Sequence, residues 1–350
     1  MKFSDIKILI VYIILFNSCI FLITKYTKVI SKLNNKLWLV IILATSVAAY
    51  FVYPKVDSRK FSGNFGSTAD DAFILGVESF RNSGKIYDVS ISDIAPTSPG
   101  PGWIIMNSPF VFSKAYSLFL VFYFAISLFF LYKIEGGFVA NLFYILCCSS
   151  VLFWELLFNG HDIIPISFAL FIIIYLFPLL INKNTFYLVL LAVFTGVFAT
   201  SRIVFIVTPI VVFAIGYRLN KLKSILFLII SLLVCLGLHL YYYNINSYYQ
   251  PFHLFFKAYR ILGIELMVVL SIIILIVIKF FNKYYSNKYL VFFVFSLILI
   301  PISIMDLIRL NFNFIEWEGA NYLYPLIPLF SYIFIEKMMA IKRNNKDNYI

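Results

Sequence analysis

The sequence predicts an all-α protein, a polytopic membrane helical bundle of about 11 transmembrane helices, with an extracytoplasmic first long loop carrying an amphipathic helix. Three observations predict it. Of the 350 residues 62% are hydrophobic and only 13% charged, against about 25% charged in a soluble domain. The apolar stretches are long, and a helix needs roughly 17–25 residues to cross a bilayer. They are also apolar all round, whereas a soluble helix keeps a polar face at its 3.6-residue period.

Taken in order, the spans fall at 6–24, 37–53, 115–132, 138–158, 163–181, 186–200, 203–217, 225–243, 261–281, 289–305 and 321–336. The first is longer than the apolar core of a secretory signal and no small-residue cleavage site follows it, so it reads as a retained span. The two flanking Arg202 run about 15 residues, roughly 22 Å at 1.5 Å per residue, short of a ~30 Å hydrocarbon core. Cys19, Cys147, Cys148 and Cys235 all lie inside apolar spans, which indicates neither a disulfide framework nor a zinc site.

The net charge of +12 is distributed by side rather than gathered into a nucleic-acid patch. One set of loops (25–36, 133–137, 182–185, 218–224, 279–288 and the tail 337–350) holds 16 of the 28 Lys/Arg against the acids Glu135 and Asp347, with Glu336 next to the tail. The positive-inside rule makes that side cytoplasmic and the other extracytoplasmic. The chain is then a single integral domain, 1–350, of the cell (inner or plasma) membrane. Its expected partners include membrane lipids and exclude nucleic acid.

One polar segment is long. Residues 54–102 hold 11 of the 44 charged residues, and a loop of that length is functional unless disordered. Its middle, "TADDAFILGVESFRNSG", has a helix signature over 69–82. Ser67 or Thr68 can cap it with Asp70 or Asp71 three residues on, and Gly84 stops it. Phe73, Val77 and Phe80 share a face, which predicts an amphipathic helix lying on or near the outer membrane surface.

Asp70 and Asp71 are the first candidates for chemistry. Acids in a first helical turn are favoured by the macrodipole, so capping alone would accommodate them. Asp70, however, sits at the edge of the apolar stripe, where a solvated cap has no need to be. The cations that stand out beside them are Arg202, His253, Lys257, Arg260 and Arg309, the arginines each offering a planar fork of donors. Arg202 stands inside an apolar region, where a charge is a functional hypothesis by default; a snorkelling arginine at a helix end gives the same pattern. His161 and Asp162 open a span on the outer side, as a donor-site pair or a helix cap. Glu155 and Glu265 lie within spans, which calls for buried partners.

"ADDAFILGVESFRNSGKIYD" followed by "PTSPGPGWIIMNSPFVF" resembles the first external loop of the GT-C superfamily of integral-membrane glycosyltransferases. The likeness is to the branches of protein mannosyltransferases, lipid A aminoarabinose transferases and polyprenol-phosphate-mannose transferases. There an Asp-Asp or Asp-Glu pair opens a helix, a Gly-x-x-Tyr follows (here Gly84 to Tyr87), and a Pro-rich turn (Pro96 to Pro101) leads into the next span. "NGHDIIPISFALFIIIY" and "GVFATSRIVFIVTPIVV" resemble two further family patterns. "NYLYPLIPLF" is similar to the Tyr-x-x-Pro-x-x-Pro start of the last conserved span, beginning at Tyr322, although relatives carry Arg where this chain has Asn321.

The resemblance implies an inverting glycosyltransferase acting at the extracytoplasmic face. The donor would be a polyprenyl-phosphate sugar, with Arg202, His253, Lys257, Arg260 and Arg309 as candidates to bind its phosphate, and the acceptor a hydroxyl on a glycan, lipid or protein. Asp70 would be the base, with Asp71 orienting the acceptor or tuning it. No carboxylate cluster with metal-ligand spacing stands out, so no cofactor and no obligatory metal are expected. Two rivals are an O-antigen-type polysaccharide polymerase and a lipid-linked-sugar flippase. The first places its long loop late and leans on arginines; a transporter places ionisable groups near mid-membrane.

Overall fold

A computed structural model describes residues 6–26, 30, 33–57, 69–87, 99–246, 249–284, 287–313 and 317–347. The protein is all-helical, and no strand occurs among the described residues. Among the described residues seven helices are long and apolar enough to cross a membrane, or eight if one bent pair counts as a span. Helix α1 is Ile6–Lys25, α2 is Leu37–Asp57, α3 is Ala69–Ser83, α4 is Pro101–Phe112 and α5 is Tyr116–Glu135. The bent pair follows, α6 (Gly137–Cys148) and α7 (Val151–Phe158), meeting at 77°. Next come α8 (Ile163–Leu180), α9 (Thr185–Ala199), a 3₁₀ turn at Ile203–Val207 and α10 (Thr208–Gly216). The chain ends with α11 (Lys221–Ile245), α12 (His253–Tyr284), α13 (Asn287–Arg309), a 3₁₀ segment at Glu318–Leu323 and α14 (Leu326–Asp347).

The sequence count of about eleven therefore exceeds the helices that meet the length and polarity test. The span read at 138–158 is broken at Ser149–Ser150, and those read at 6–24, 186–200 and 203–217 correspond to shorter apolar stretches, Ile13–Lys25, Thr185–Ala199 and Ile203–Gly216. Helix α8 is the hub, with Phe168, Phe171 and Phe177 fully or almost fully buried. Aromatic contacts tie it to its neighbours. Phe168 stacks on Phe124 at 4.3 Å, Phe171 meets Phe143 at 4.7 Å, and Phe177 meets Phe227 edge-on at 4.7 Å. Helices α2 and α12 instead leave rows of leucine, isoleucine and valine exposed, as a lipid-facing helix does. Glu265 departs from the expectation of a buried partner. It is exposed on α12 just past Gly263, whose positive φ of 74° bends the helix there. Glu155 is half-buried.

The helix expected at 69–82 forms as α3, and Gly84 ends it at φ 72°. Its caps Ser67 and Thr68, like Pro96, lie outside the described residues. What covers its apolar face differs from expectation. Phe73 and Val77 are wholly buried within the protein, with Phe73 stacked on Phe119 at 5.1 Å. Gly76 lets the helix approach α4, since a Cβ there would stand 3.1 Å from the Ile104 side chain. The stripe is spent on α4 and α5 and not on a membrane surface. That inward packing carries Asp70 into the protein.

Candidate functional site

Three segments converge on Asp70, which α3 carries: the end of α2, the start of α5 and the turn at Gly160. In the first turn of α3 its carboxylate is fully buried, while Asp71 is half-buried. From the end of α2, the buried Tyr53 donates its hydroxyl to Asp70 Oδ2 at 2.8 Å. Tyr116, at the start of α5, lies 5.6 Å from the Tyr53 ring centre to centre and donates its hydroxyl to the Gly160 carbonyl at 2.9 Å. Burying these tyrosines is favourable because each polar tip finds an acceptor.

Gly160 has to be glycine. Its φ is +72°, and a Cβ would stand 2.3 Å from the Tyr53 ring and 3.2 Å from Asp70 Cβ. Gly160→Ala is expected to cost about 1–3 kcal/mol, as overpacking does, and to push Tyr53 off Asp70. Thermal unfolding of the purified variant checks the first effect. An unchanged melting temperature would show that the ring has room to move.

The turn continues into His161 and Asp162, and here the structure separates two roles the sequence left open. His161 Nδ1 accepts the Ile163 N–H at 3.1 Å, so histidine caps the start of α8. Asp162 occupies the capping position yet makes no side-chain cap. Its Oδ1 accepts from Arg202 Nη2 at 2.5 Å, and both residues are buried. Arg202 is thus no snorkelling side chain, because snorkelling would carry its head to water. Burial alone would raise the Asp162 carboxyl; Arg202 and His161 together outweigh it and hold that carboxyl below its usual range. Stability from this shift is complete above the ordinary carboxylate range and is lost only as pH falls through the lowered value.

Arg202 is placed by the Pro-rich turn. The Gly100 N–H bonds Ser201 O at 3.3 Å, and the Trp103 N–H bonds Thr200 Oγ1 at 3.1 Å. A Cβ on Gly100 would fall 1.8 Å from the Thr200 carbonyl oxygen. The glycines of "PGPG" therefore permit backbone-on-backbone contact that fixes the residue before Arg202. Tyr322, half-buried in the 3₁₀ segment Glu318–Leu323, lies in the electrostatic field of Arg202. The Tyr116 hydroxyl feels both Asp162 and Asp70. The two halves of the site, one around Asp70 and one around Arg202, thus meet at Tyr116.

Asp70, Asp71, His161, Asp162, Arg202 and Tyr322 are brought into one region; other candidates are not. Tyr87 is buried elsewhere, its N–H on Asn246 Oδ1 and its hydroxyl on Pro99 O, both at 3.1 Å, and its ring stacked 4.1 Å from Tyr249. Burial keeps its hydroxyl well above the ordinary tyrosine range, so it serves as a neutral clasp across the loop. Arg260 and Arg309 are exposed, and nothing among the described residues ties either to the Asp70–Arg202 region. His253 and Lys257 lie on α12, but their side chains fall outside the described residues.

Tyr53, Tyr116 and Asp57 carried no signal recognised in the sequence. Asp57 changes the expectation of no carboxylate cluster. It ends α2, and it can offer a ligand atom within 4.8 Å of those of Asp70 and Asp71, a set of three able to hold a metal ion. Sequence spacing hid the set because eleven residues separate Asp57 from α3. Comparison of the chain with protein-family models, with curated proteins and with solved structures finds no match.

Proposed function

We propose that the chain is an inverting glycosyltransferase. It moves a sugar from a polyprenyl-phosphate donor to an acceptor hydroxyl on a glycan, lipid or protein. The observation that carries the proposal is the pairing of a buried, tyrosine-held carboxylate, Asp70, with a buried guanidinium, Arg202, across Tyr116. Such a pair can take a proton at one end and receive a developing phosphate charge at the other. The acceptor O–H gives its proton to the Asp70 carboxylate as its oxygen attacks the anomeric carbon. The bond from that carbon to the phosphate oxygen breaks, its electron pair leaves with the polyprenyl phosphate, and the configuration inverts. Arg202 stabilises the leaving phosphate charge. Tyr53 fixes the carboxylate through Oδ2, so less orientational freedom is lost on reaching the transition state.

Topologically, the three shorter apolar stretches and the bent pair complete the seven long helices to eleven passes, and the 54–102 loop stands outside the membrane. A polyprenyl tail then stays in the bilayer while its sugar phosphate reaches the site from the outer interface. The steps as written use no metal. Transfer from a polyprenyl-phosphate sugar by the protein in liposomes is expected to give a product of inverted anomeric configuration at the same rate with and without chelator. Retained configuration would dismiss single displacement. Loss of activity on chelation, restored by a divalent ion, would put that ion on Asp57, Asp70 and Asp71. It would give Asp70 a ligand's role instead of a base's.

A further inference from the structure

Asp162 stands where an aspartate ordinarily caps its own helix, yet it has left that post to His161 and turned onto Arg202. The grip is only partial. A carboxylate matched to a guanidinium commonly uses both oxygens. Here Oδ1 alone is engaged, and Oδ2 is buried with no hydrogen-bond partner among the described residues. A buried acceptor left open needs an explanation. Two further facts bear on it. Asp70 and Asp162 act on the same Tyr116 hydroxyl, so a phosphate added to Arg202 with Asp162 still in place would meet like charge in a low dielectric. And Asp162 has a second station. Among the described residues the Ile164 N–H at the start of α8 has a long 3.4 Å bond to the His161 carbonyl, and Pro165 beside it has no N–H. That helix N-terminus favours a carboxylate.

We propose that Asp162 is a resident stand-in for phosphate: it fills Arg202 in the ligand-free protein, and a phosphate ester takes Arg202 by turning Asp162 back onto the start of α8. This rests on the assignment of Arg202 to the donor phosphate. The apparent affinity for phosphate is reduced by the fraction of chains in which Arg202 is released, so removing the carboxylate raises it.

The test is calorimetric titration of the purified full-length chain in detergent, with decyl phosphate and with inorganic phosphate. Asp162→Asn keeps a carbonyl oxygen for Arg202 but removes the charge. It is expected to bind decyl phosphate roughly tenfold or more tightly than the wild type, the factor for an Arg202 released in a tenth of chains or fewer. Adding Arg202→Gln should erase the gain. A gain shared by inorganic phosphate places recognition in the headgroup, and one confined to decyl phosphate assigns it to a lipid-linked ligand; either upholds the exchange. Arg202-dependent binding that is unchanged or weaker in Asp162→Asn would make Asp162 a brace and overturn the exchange, leaving the phosphate assignment intact. No binding by either form would remove both. Should the variant fail to fold, an infrared difference spectrum of the wild type with decyl phosphate decides. The exchange requires a carboxylate band to shift as it leaves the guanidinium, and an unshifted band refutes it.

Discussion

Asp70→Asn is expected to lower the turnover of sugar transfer by about 10²–10⁴-fold, the range a positioned general base contributes. The change is nearly isosteric. The amide oxygen it introduces can still accept the Tyr53 hydroxyl, which lies 2.8 Å from Oδ2 in the wild type. The variant should therefore fold, insert and bind donor as before, with the loss confined to kcat. Asp71→Asn provides the contrast. Its side chain is only half-buried, so the same substitution should cost far less. Comparable losses at the two positions would mean that the carboxylates act as a set, as a shared cation would make them do. An Asp70→Asn enzyme with wild-type turnover would end Asp70's candidacy as the base.

The second large effect concerns the buried Asp162–Arg202 pair, joined at 2.5 Å. Removing one partner of a buried ion pair leaves an uncompensated charge and costs about 3–5 kcal/mol. Arg202→Gln alone should thus be strongly destabilised. The double variant Asp162→Asn, Arg202→Gln removes both charges and should recover most of that stability, since neutral replacement of a whole buried pair is often harmless. Activity should not recover with it, because the leaving phosphate has lost its guanidinium. Stability and transfer measured on the single and double variants separate the two roles. A double variant that is both stable and fully active would reduce the pair to a structural tie.

Those outcomes bear on residues the sequence already marked, and it marked them for one reason. A carboxylate or guanidinium in a chain this apolar is costly, so Asp70, Asp162 and Arg202 stand out. Their partners do not. Tyr53 and Tyr116 are two of 25 tyrosines at the ends of apolar helices, where interfacial tyrosine is ordinary. Only the fold shows that their hydroxyls point inward. The amphipathic period of α3 was legible, but a period says that a face is covered and not by what. Phe73 and Val77 face α4 and α5 instead of lipid because Gly76 permits the approach. Arg260 and Arg309 illustrate the converse. Charge and a loop position made them candidates, and the fold leaves both exposed, with nothing among the described residues tying them to the Asp70–Arg202 region. Asp57 was invisible as a partner of Asp70 because their proximity comes from how α3 returns onto the end of α2, which no local pattern encodes.

The claim at the centre of this account is that the Asp70 region breaks a sugar–phosphate bond. It is tested most directly in sealed proteoliposomes holding the purified chain, a polyprenyl-phosphate sugar labelled in the sugar, and an acceptor outside. Free polyprenyl phosphate and transferred label are counted together. One polyprenyl phosphate is expected for each sugar transferred, and neither product in Asp70→Asn. Label that crosses the bilayer still attached to its lipid, equally fast with either form, would contradict it and make the protein a transporter.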